Sequence, residues 1–493
     1  MALVTREPAA GPRSPEAAPR AAMRRTIGLR EGAVIAASSA AATTSVGLGL
    51  GLMAGVVGPH LPAVMLLAFL PVLAVAGGYG RLSRVDPHAG SSYHWVGRTL
   101  HPWLGFLSGW FGVVGAVVFM AYTTTVTGSA LLGLAGEARL HRLGGLTLDP
   151  NSTLQATALG LLVLGAATVV ATRGLEPAAR LQKYLLAFEY AVLLGFCGYG
   201  LFAGREPFSL DWYDPFAIPS LSALAQGMVL AVFCYWGFES VFSVGEEVRE
   251  PRDTSRGGFI ALTVMLLLFV LAGTAFQRVL PPAELAGHGT NALTWFAGRL
   301  VGQPLAALPL VALTLSAAAS LQAAVIPTAR GMLAMGRDGT VGAVWTRLHP
   351  RYATPAAGTV LIAAVATGLA LLSLVIPTVG DLVTADVNAG GILAVVSYAL
   401  TATAAAVRFR HLSRASTLEG LRAVLGPLLG ALALLAVGGY LVWSFAVSTD
   451  HFELSADNGW FELLCPALMI GSGLLAAAWA HWGRRSPYFR TEG

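Results

Sequence analysis

Phe233-Cys234-Tyr235-Trp236-Gly237-Phe238-Glu239-Ser240 places a glycine and a carboxylate in the middle of an apolar run that extends from about residue 219 to 245. A run of this length can cross a bilayer as a helix. A glycine beside a charge at its centre, however, calls for an interrupted helix whose open backbone lines a cavity, because lipid satisfies no free amide or carbonyl. A second interruption is expected in Thr43-Thr44-Ser45-Val46-Gly47-Leu48-Gly49-Leu50-Gly51, where small residues, β-branched residues and glycines crowd an apolar run near 33–57. The bland alternative is that these residues let neighbouring helices pack closely.

The rest of the chain agrees with a membrane protein. Of 493 residues 55% are hydrophobic and only 12% charged, with a mean hydropathy of +0.67, whereas a soluble chain is about a quarter charged. About 12 runs have spanning length, near 33–57, 61–82, 102–134, 154–172, 177–203, 219–245, 257–279, 304–328, 356–376, 381–407, 423–446 and 460–482. The two interruptions fall in the first and sixth, the corresponding places of two five-helix halves. The run at 102–134 is long enough for a strongly tilted helix.

With the N-terminus inside, 26 of the 31 basic residues lie on the inner side. Arg139, Arg142, Arg205, Arg278 and Arg299 are the five left outside. That bias puts both chain ends in the cytoplasm of a multi-pass plasma-membrane protein. The basic excess is topogenic, so no nucleic-acid partner is expected. Residues 1–29, rich in Ala, Pro and Arg, read as a disordered N-terminal tail, and 484–493 as a cytoplasmic C-terminal tail. Asn151-Ser152-Thr153 is a sequon on the outer side, of little weight without a secretory context. Cys197, Cys234 and Cys465 all lie in apolar runs without CxxC or His/Cys spacing, so neither a disulfide framework nor a metal site is expected. No GxxxxGK[ST] loop or HExxH motif occurs, and no cofactor is called for.

Two broken helices offer a zwitterion or amine a natural site. Free amides at the start of a second half-helix attract a carboxylate, and free carbonyls at the end of a first half-helix attract an ammonium or cation. Intramembrane carboxylates are functional candidates by default. Glu239, beside the sixth-span break, is a candidate proton carrier or latch, or a structural carboxyl bonded between helices. Asp381, Thr384 and Asn388 share one face of the tenth span and Asp386 turns to the other. Asn388 is assigned to the cavity, Asp381 to the mouth of the span and Asp386 to a neighbouring helix. Ser316, Ser320 and Gln322 are the polar candidates of the eighth span. No Arg or Lys falls within a span near this site, which favours a neutral or cationic amino acid, or an amine, over an acidic one.

The motif Gly237-Phe238-Glu239-Ser240, with Glu246-Glu247-Val248-Arg249-Glu250-Pro251-Arg252-Asp253 after it, resembles the sixth helix and following loop of amino acid–polyamine–organocation permeases. So do Asp86-Pro87-His88-Ala89-Gly90-Ser91-Ser92-Tyr93, Pro102-Trp103-Leu104-Gly105-Phe106 with Gly109-Trp110, and Arg330 through Met335-Gly336-Arg337-Asp338-Gly339 with Thr354-Pro355. The resemblance covers about residues 30–410. It implies an all-α fold of two inverted five-helix repeats with discontinuous helices 1 and 6, and two peripheral helices in 411–483. It also implies a secondary transporter, not an enzyme, that moves an amino acid or amine by alternating access. The family's helix-1 substrate stretch falls on Thr44-Ser45-Val46 with Gly47 following, where the family's two glycines are missing. Its helix-6 contacts fall on Phe233, Cys234 and Trp236, next to Gly237. Trp236 would be a wall, a lid or a cation–π face, or else a lipid-facing or packing aromatic. Glu189 occupies a position where proton-coupled relatives carry a lysine, and is the second proton-coupling candidate. Glu246, Glu247, Arg249, Arg252 and Asp253, with Arg330, Arg337 and Asp338, are expected to anchor helix ends and to pair as an inner gate. Proton symport and uncoupled exchange stay open, as does a transporter-like receptor. So does the oligomeric state.

Overall fold

The computed structural model describes residues 23, 25–143, 145–375, 379–414, 416–447 and 461–490. Those residues are almost wholly helical. The principal helices are α1 (Leu29–Ser39), α2 (Leu50–Val57), α3 (Leu61–Val85), the short α4 (Ser92–Thr99), α5 (Pro102–Glu137), α6 (Thr153–Thr172), α7 (Leu175–Ala203), α8 (Leu221–Tyr235) and α9 (Pro251–Val279). After them come α10 (Leu308–Arg337), α11 (Ala356–Leu372), α12 (Val379–Arg408), α13 (Gly426–Val447) and α14 (Phe461–Ala478). A two-residue hairpin, β1 (Arg142–Leu143) with β2 (Leu146–Thr147), joins α5 to α6.

Eleven helical stretches are long and apolar enough to cross a membrane. The twelfth expected span is α8, which has only 15 residues because Trp236 leaves the helix in an extended conformation (φ −63°, ψ 139°). α5 has 36 residues, about 54 Å at 1.5 Å per residue, well beyond a 30 Å hydrocarbon layer, so it tilts within the layer or extends past it. Apolar side chains such as Leu162, Leu432, Leu468 and Leu475 are exposed along the outside, where lipid replaces water as the solvent. The protein is therefore an all-α, multi-pass membrane protein.

The interior is built by α1, α2, α8, α10 and α12, with α3, α5, α7 and α9 packed around them. Close approach depends on small residues. A Cβ on Gly128 of α5 would strike the Ala156 carbonyl of α6, and one on Gly160 would strike the Thr124 carbonyl. Contacts this short let dispersion hold two helices together where no hydrophobic effect exists between them.

One end of the bundle gathers arginines and acids into pairs. Arg330 bonds Glu247 through Nε at 2.5 Å and Nη2 at 3.2 Å, with both side chains buried. Arg337 pairs with Glu246 at 2.8 Å, Arg408 with Asp86 at 3.4 Å, and Arg81 with Glu419 at 2.8 Å. We call this end the arginine-rich face. The expected pairing of Arg330 and Arg337 with the loop after the sixth span is thus present, and both acids follow the broken helix. Thr26 and Ile27, assigned above to a disordered tail, are instead ordered here. Their amides bond the Glu247 carbonyl, the Arg249 amide bonds the Ile27 carbonyl, and Ile27 is fully buried.

Candidate functional site

The chain between α1 and α2 breaks at Ala40 and Ala41, where Ala41 takes the left-handed conformation (φ 47°, ψ 53°). A short helical piece, Ala42–Thr44, and a π-helical turn, Ser45–Gly49, then lead into α2. The expected unwinding at Thr44-Ser45-Val46 therefore lies about four residues too far along the chain. Two of the glycines after it, Gly47 and Gly51, serve packing. Gly47 lies under Leu293 and Leu313, and a Cβ on Gly51 would strike the Gly289 carbonyl. Unwinding falls instead on a run of alanines, small enough to admit a second backbone.

That second backbone is the break after α8. Gly237 has φ +113°, a conformation side chains oppose. A Cβ there would lie 2.6 Å from the Ser39 carbonyl carbon and 2.7 Å from the Ala40 nitrogen. The two breaks thus touch each other at mid-bundle. The Ser45 hydroxyl donates to the freed Ala40 carbonyl at 3.0 Å, and the Ser39 hydroxyl to the Ala323 carbonyl of α10 at 3.4 Å.

A cavity opens beside this contact, with an accessible volume of about 180 Å³. That is more than ten times the roughly 10–15 Å³ a single water needs by the same measure. Its walls come from both breaks, α5, α10 and α12, and it runs from Leu52 and Tyr122 to Gly90–Tyr93 and Met335 near the arginine-rich face. Among the described residues Glu239 is the only acidic or basic side chain lining it. Glu239 Oε2 accepts from the Tyr398 hydroxyl at 2.7 Å and from the Gly237 amide at 3.0 Å. The carboxylate therefore ties α12 to the break. Thr44 and Ser240 also line the cavity, and their buried hydroxyls have no partner among the described residues. Buried polar atoms are normally satisfied, so these two point to a polar guest.

Of the residues expected at a substrate site, Phe233, Cys234, Trp236, Gly237, Thr44 and Ser45 line the cavity. Trp236 meets Phe233 and Phe119 edge-on, with ring centroids 5.7 and 6.4 Å apart, and forms part of the wall. Val46 and Gly47 do not line it: Val46 is buried in the core and Gly47 faces Leu293 and Leu313. Gln322 is buried in α10 but off the cavity, where Ala323, Ala324 and Pro327 stand instead. Ser316 and Ser320 are buried too and likewise off it. Glu189 lies away from the cavity, in α7 next to Ser316 of α10, with Oε2 unpartnered among the described residues. The side chains of Asp381, Thr384, Asp386 and Asn388 lie outside the described residues.

Sequence reasoning missed Ser39, Ala40 and Ala41, and also Ser397 and Tyr398 of α12. The alanine run directly after Ser38-Ser39 was a usable signal for the break. Tyr398 could have been sought as the hydroxyl that a buried Glu239 requires.

Near the arginine-rich end of the cavity the His88 and His94 rings stack at 3.8 Å. Burial, aided by the neighbouring His94, lowers the His88 imidazole to about 4. Burial works against the Glu246 charge, but the bonds from Arg337 and the Ala89 amide outweigh it and hold that carboxyl below its usual range.

Residues 32–452 match the family model described as amino acid permease. The chain is 27% identical over 339 residues to the methylthioribose transporter of Bacillus subtilis (strain 168), covering 66% of this chain and 71% of that protein. It is 24% identical over 327 residues to the low-affinity putrescine importer PlaP of Escherichia coli (strain K12), covering 64% and 68%. It is 25% identical over 362 residues to the vacuolar cationic amino acid transporter 4 of Arabidopsis thaliana, covering 66% of this chain and 56% of the plant protein. The matched residues include both helix breaks and the Glu239 site, and the family is one of transporters, not enzymes. The chain belongs to the amino acid permease family.

Proposed function

We propose that the chain is a secondary transporter that carries an amine or a neutral or cationic amino acid across the plasma membrane by alternating access, coupled to protons. The single observation that carries this reading is the Glu239 carboxylate, alone among the acidic and basic side chains of the described residues in a cavity walled by two touching helix breaks. An ammonium group gains a charge-assisted hydrogen bond there. The orphan hydroxyls of Thr44 and Ser240 and the first-turn amides after Ala41 serve the polar remainder of the solute. Relatives named as transporters of putrescine and of cationic amino acids support the same class.

Glu239 also suits proton coupling. As a carboxylate it holds Tyr398 and the Gly237 amide together; protonation removes that charge and loosens α12 from the break. Glu189 is a second proton site in this reading, separate from the cavity. The arginine-rich face is cytoplasmic, by the charge bias, with both chain ends there. Residues 30–410 form the two inverted repeats, and 411–483 two peripheral helices.

The test is uptake of radiolabelled amines and amino acids into proteoliposomes under a proton gradient, a sodium gradient or none, for wild type and Glu239→Gln. The reading expects proton-driven accumulation in the wild type and its loss in the variant. Accumulation that persists in Glu239→Gln removes the carboxylate from the coupling path. Uptake that needs internal preloading and ignores the gradient makes the chain an exchanger.

A further inference from the structure

Beyond α14 the chain turns back over the arginine-rich face. A π-helical turn, Trp479–Gly483, is capped by Arg484, and Arg485 after it has φ +52°. Arg484 Nη1 then donates to the Val341 carbonyl at 3.2 Å, and the Ser486 hydroxyl to the Asp338 carbonyl at 2.7 Å. Two residues on, the Tyr488 ring stacks on Tyr93 with centroids 4.6 Å apart and planes 12° from parallel, and its hydroxyl donates to the Tyr93 carbonyl at 3.0 Å. Phe489 packs against Trp103, Phe106 and His481.

The seat for Tyr488 is shaped to it. A Cβ on Gly97 of α4 or Gly105 of α5 would collide with the Tyr488 hydroxyl. Tyr93 itself lines the cavity, at the start of α4. Asp338 and Val341 follow directly on α10, whose Gly331 and Met335 line the cavity at the same end. Residues 484–490 therefore bridge the two walls that meet where the cavity approaches the arginine-rich face.

We propose that residues 484–490 are a strap that holds these walls together, with Tyr488 as the positioning residue for Tyr93, so that the cavity opens to this face only as Tyr488 leaves its slot. The inference rests on the transport reading for the need to part the walls, and on geometry alone for what holds them. The contacts join the strap to both walls: Tyr488 to α4 and α5, and Ser486 and Arg484 to the segment after α10. Losing the ring removes a stacked aromatic pair together with its buried area.

The experiment measures the rate at which a hydrophilic maleimide labels position 331 in full-length Gly331→Cys, purified in detergent, read by peptide mass spectrometry. A Cβ at that position lies 3.9 Å from Val113, so it has room. Added Tyr488→Ala or Gly97→Ala is expected to raise the rate about tenfold. Tyr488→Phe, which keeps the ring in its slot and loses one hydrogen bond, is expected to stay within about threefold of the parent. Gly97→Ala leaves the strap sequence intact and decides the matter if Tyr488→Ala fails to give a monodisperse protein. Parental labelling rates in both Tyr488→Ala and Gly97→Ala overturn the strap, and Tyr488→Phe labelling as fast as Tyr488→Ala overturns the role of the ring. Absence of uptake by wild-type proteoliposomes sinks the transport reading and leaves these rates to judge the strap separately.

Discussion

Gly237→Ala tests whether the two helix breaks meet. The substitution adds one methyl group at φ +113°, a conformation that costs a side chain about 1–3 kcal/mol. The methyl would also lie 2.6 to 2.8 Å from the Ser39 carbonyl group and the Ala40 nitrogen, where ordinary contact begins at 3.4 Å. The breaks must therefore part by about 0.8 Å at the closest point, and neither partner is a side chain that can swing away. Overpacking of this kind costs about 1–3 kcal/mol. Together the two effects come to about 2–6 kcal/mol, or a factor of at least about thirty in an equilibrium between joined and parted breaks. Thermal unfolding in detergent should show a midpoint several degrees below wild type, and proteoliposome uptake should fall at least about tenfold. Gly195→Ala is the control: it lies within α7 with nothing within 4 Å of its Cβ, and should be neutral or slightly stabilising. Wild-type melting and uptake in Gly237→Ala would refute the contact between the breaks.

Two further outcomes follow from the arginine-rich face. Arg330→Met leaves Glu247 buried without its partner and should cost about 3–5 kcal/mol, whereas Arg330→Met with Glu247→Leu should recover most of that loss; a double-mutant cycle on thermal unfolding checks both, and additive losses contradict the pairing. His88 is held well below its ordinary value, so the folded protein binds fewer protons there than the unfolded chain. Stability from this group is complete above about pH 6.5 and is lost as pH falls toward about 4. His94, Asp86, Glu246 and Arg337 face the same ring and titrate or hold charge around it. His88→Asn, which keeps an acceptor for the Gly90 amide, should therefore lose less melting temperature between pH 7 and 5 than wild type does. An unchanged loss assigns the acid sensitivity to the other groups.

The membrane character, the spans and the second break were legible because they rest on composition and on one forced residue, Gly237. The first break was misplaced for a physical reason. Glycine marks both an unwound backbone and a close helix contact, and Gly47 and Gly51 do the second. Unwinding at Ala40 and Ala41 depends on what approaches them, which is a tertiary fact. Glu239 was recognisable as a lone carboxylate in an apolar run, but its partner Tyr398 lies 159 residues away and no local pattern joins them. Gln322 was chosen for its polarity, yet small residues line that wall of α10, leaving the space a solute needs. The strap was invisible because Tyr488 looks like any aromatic residue near a chain end until Gly97 and Gly105 are seen beneath it.

The most direct test of the cavity as the transport path is to fill it without disturbing its walls. Gly112 lines the cavity on α5, and a Cβ there has nothing within 4 Å. Gly112→Phe should fold and melt like wild type while abolishing uptake of every substrate that wild-type proteoliposomes accumulate. Undiminished uptake by folded Gly112→Phe would place the path elsewhere and contradict the account.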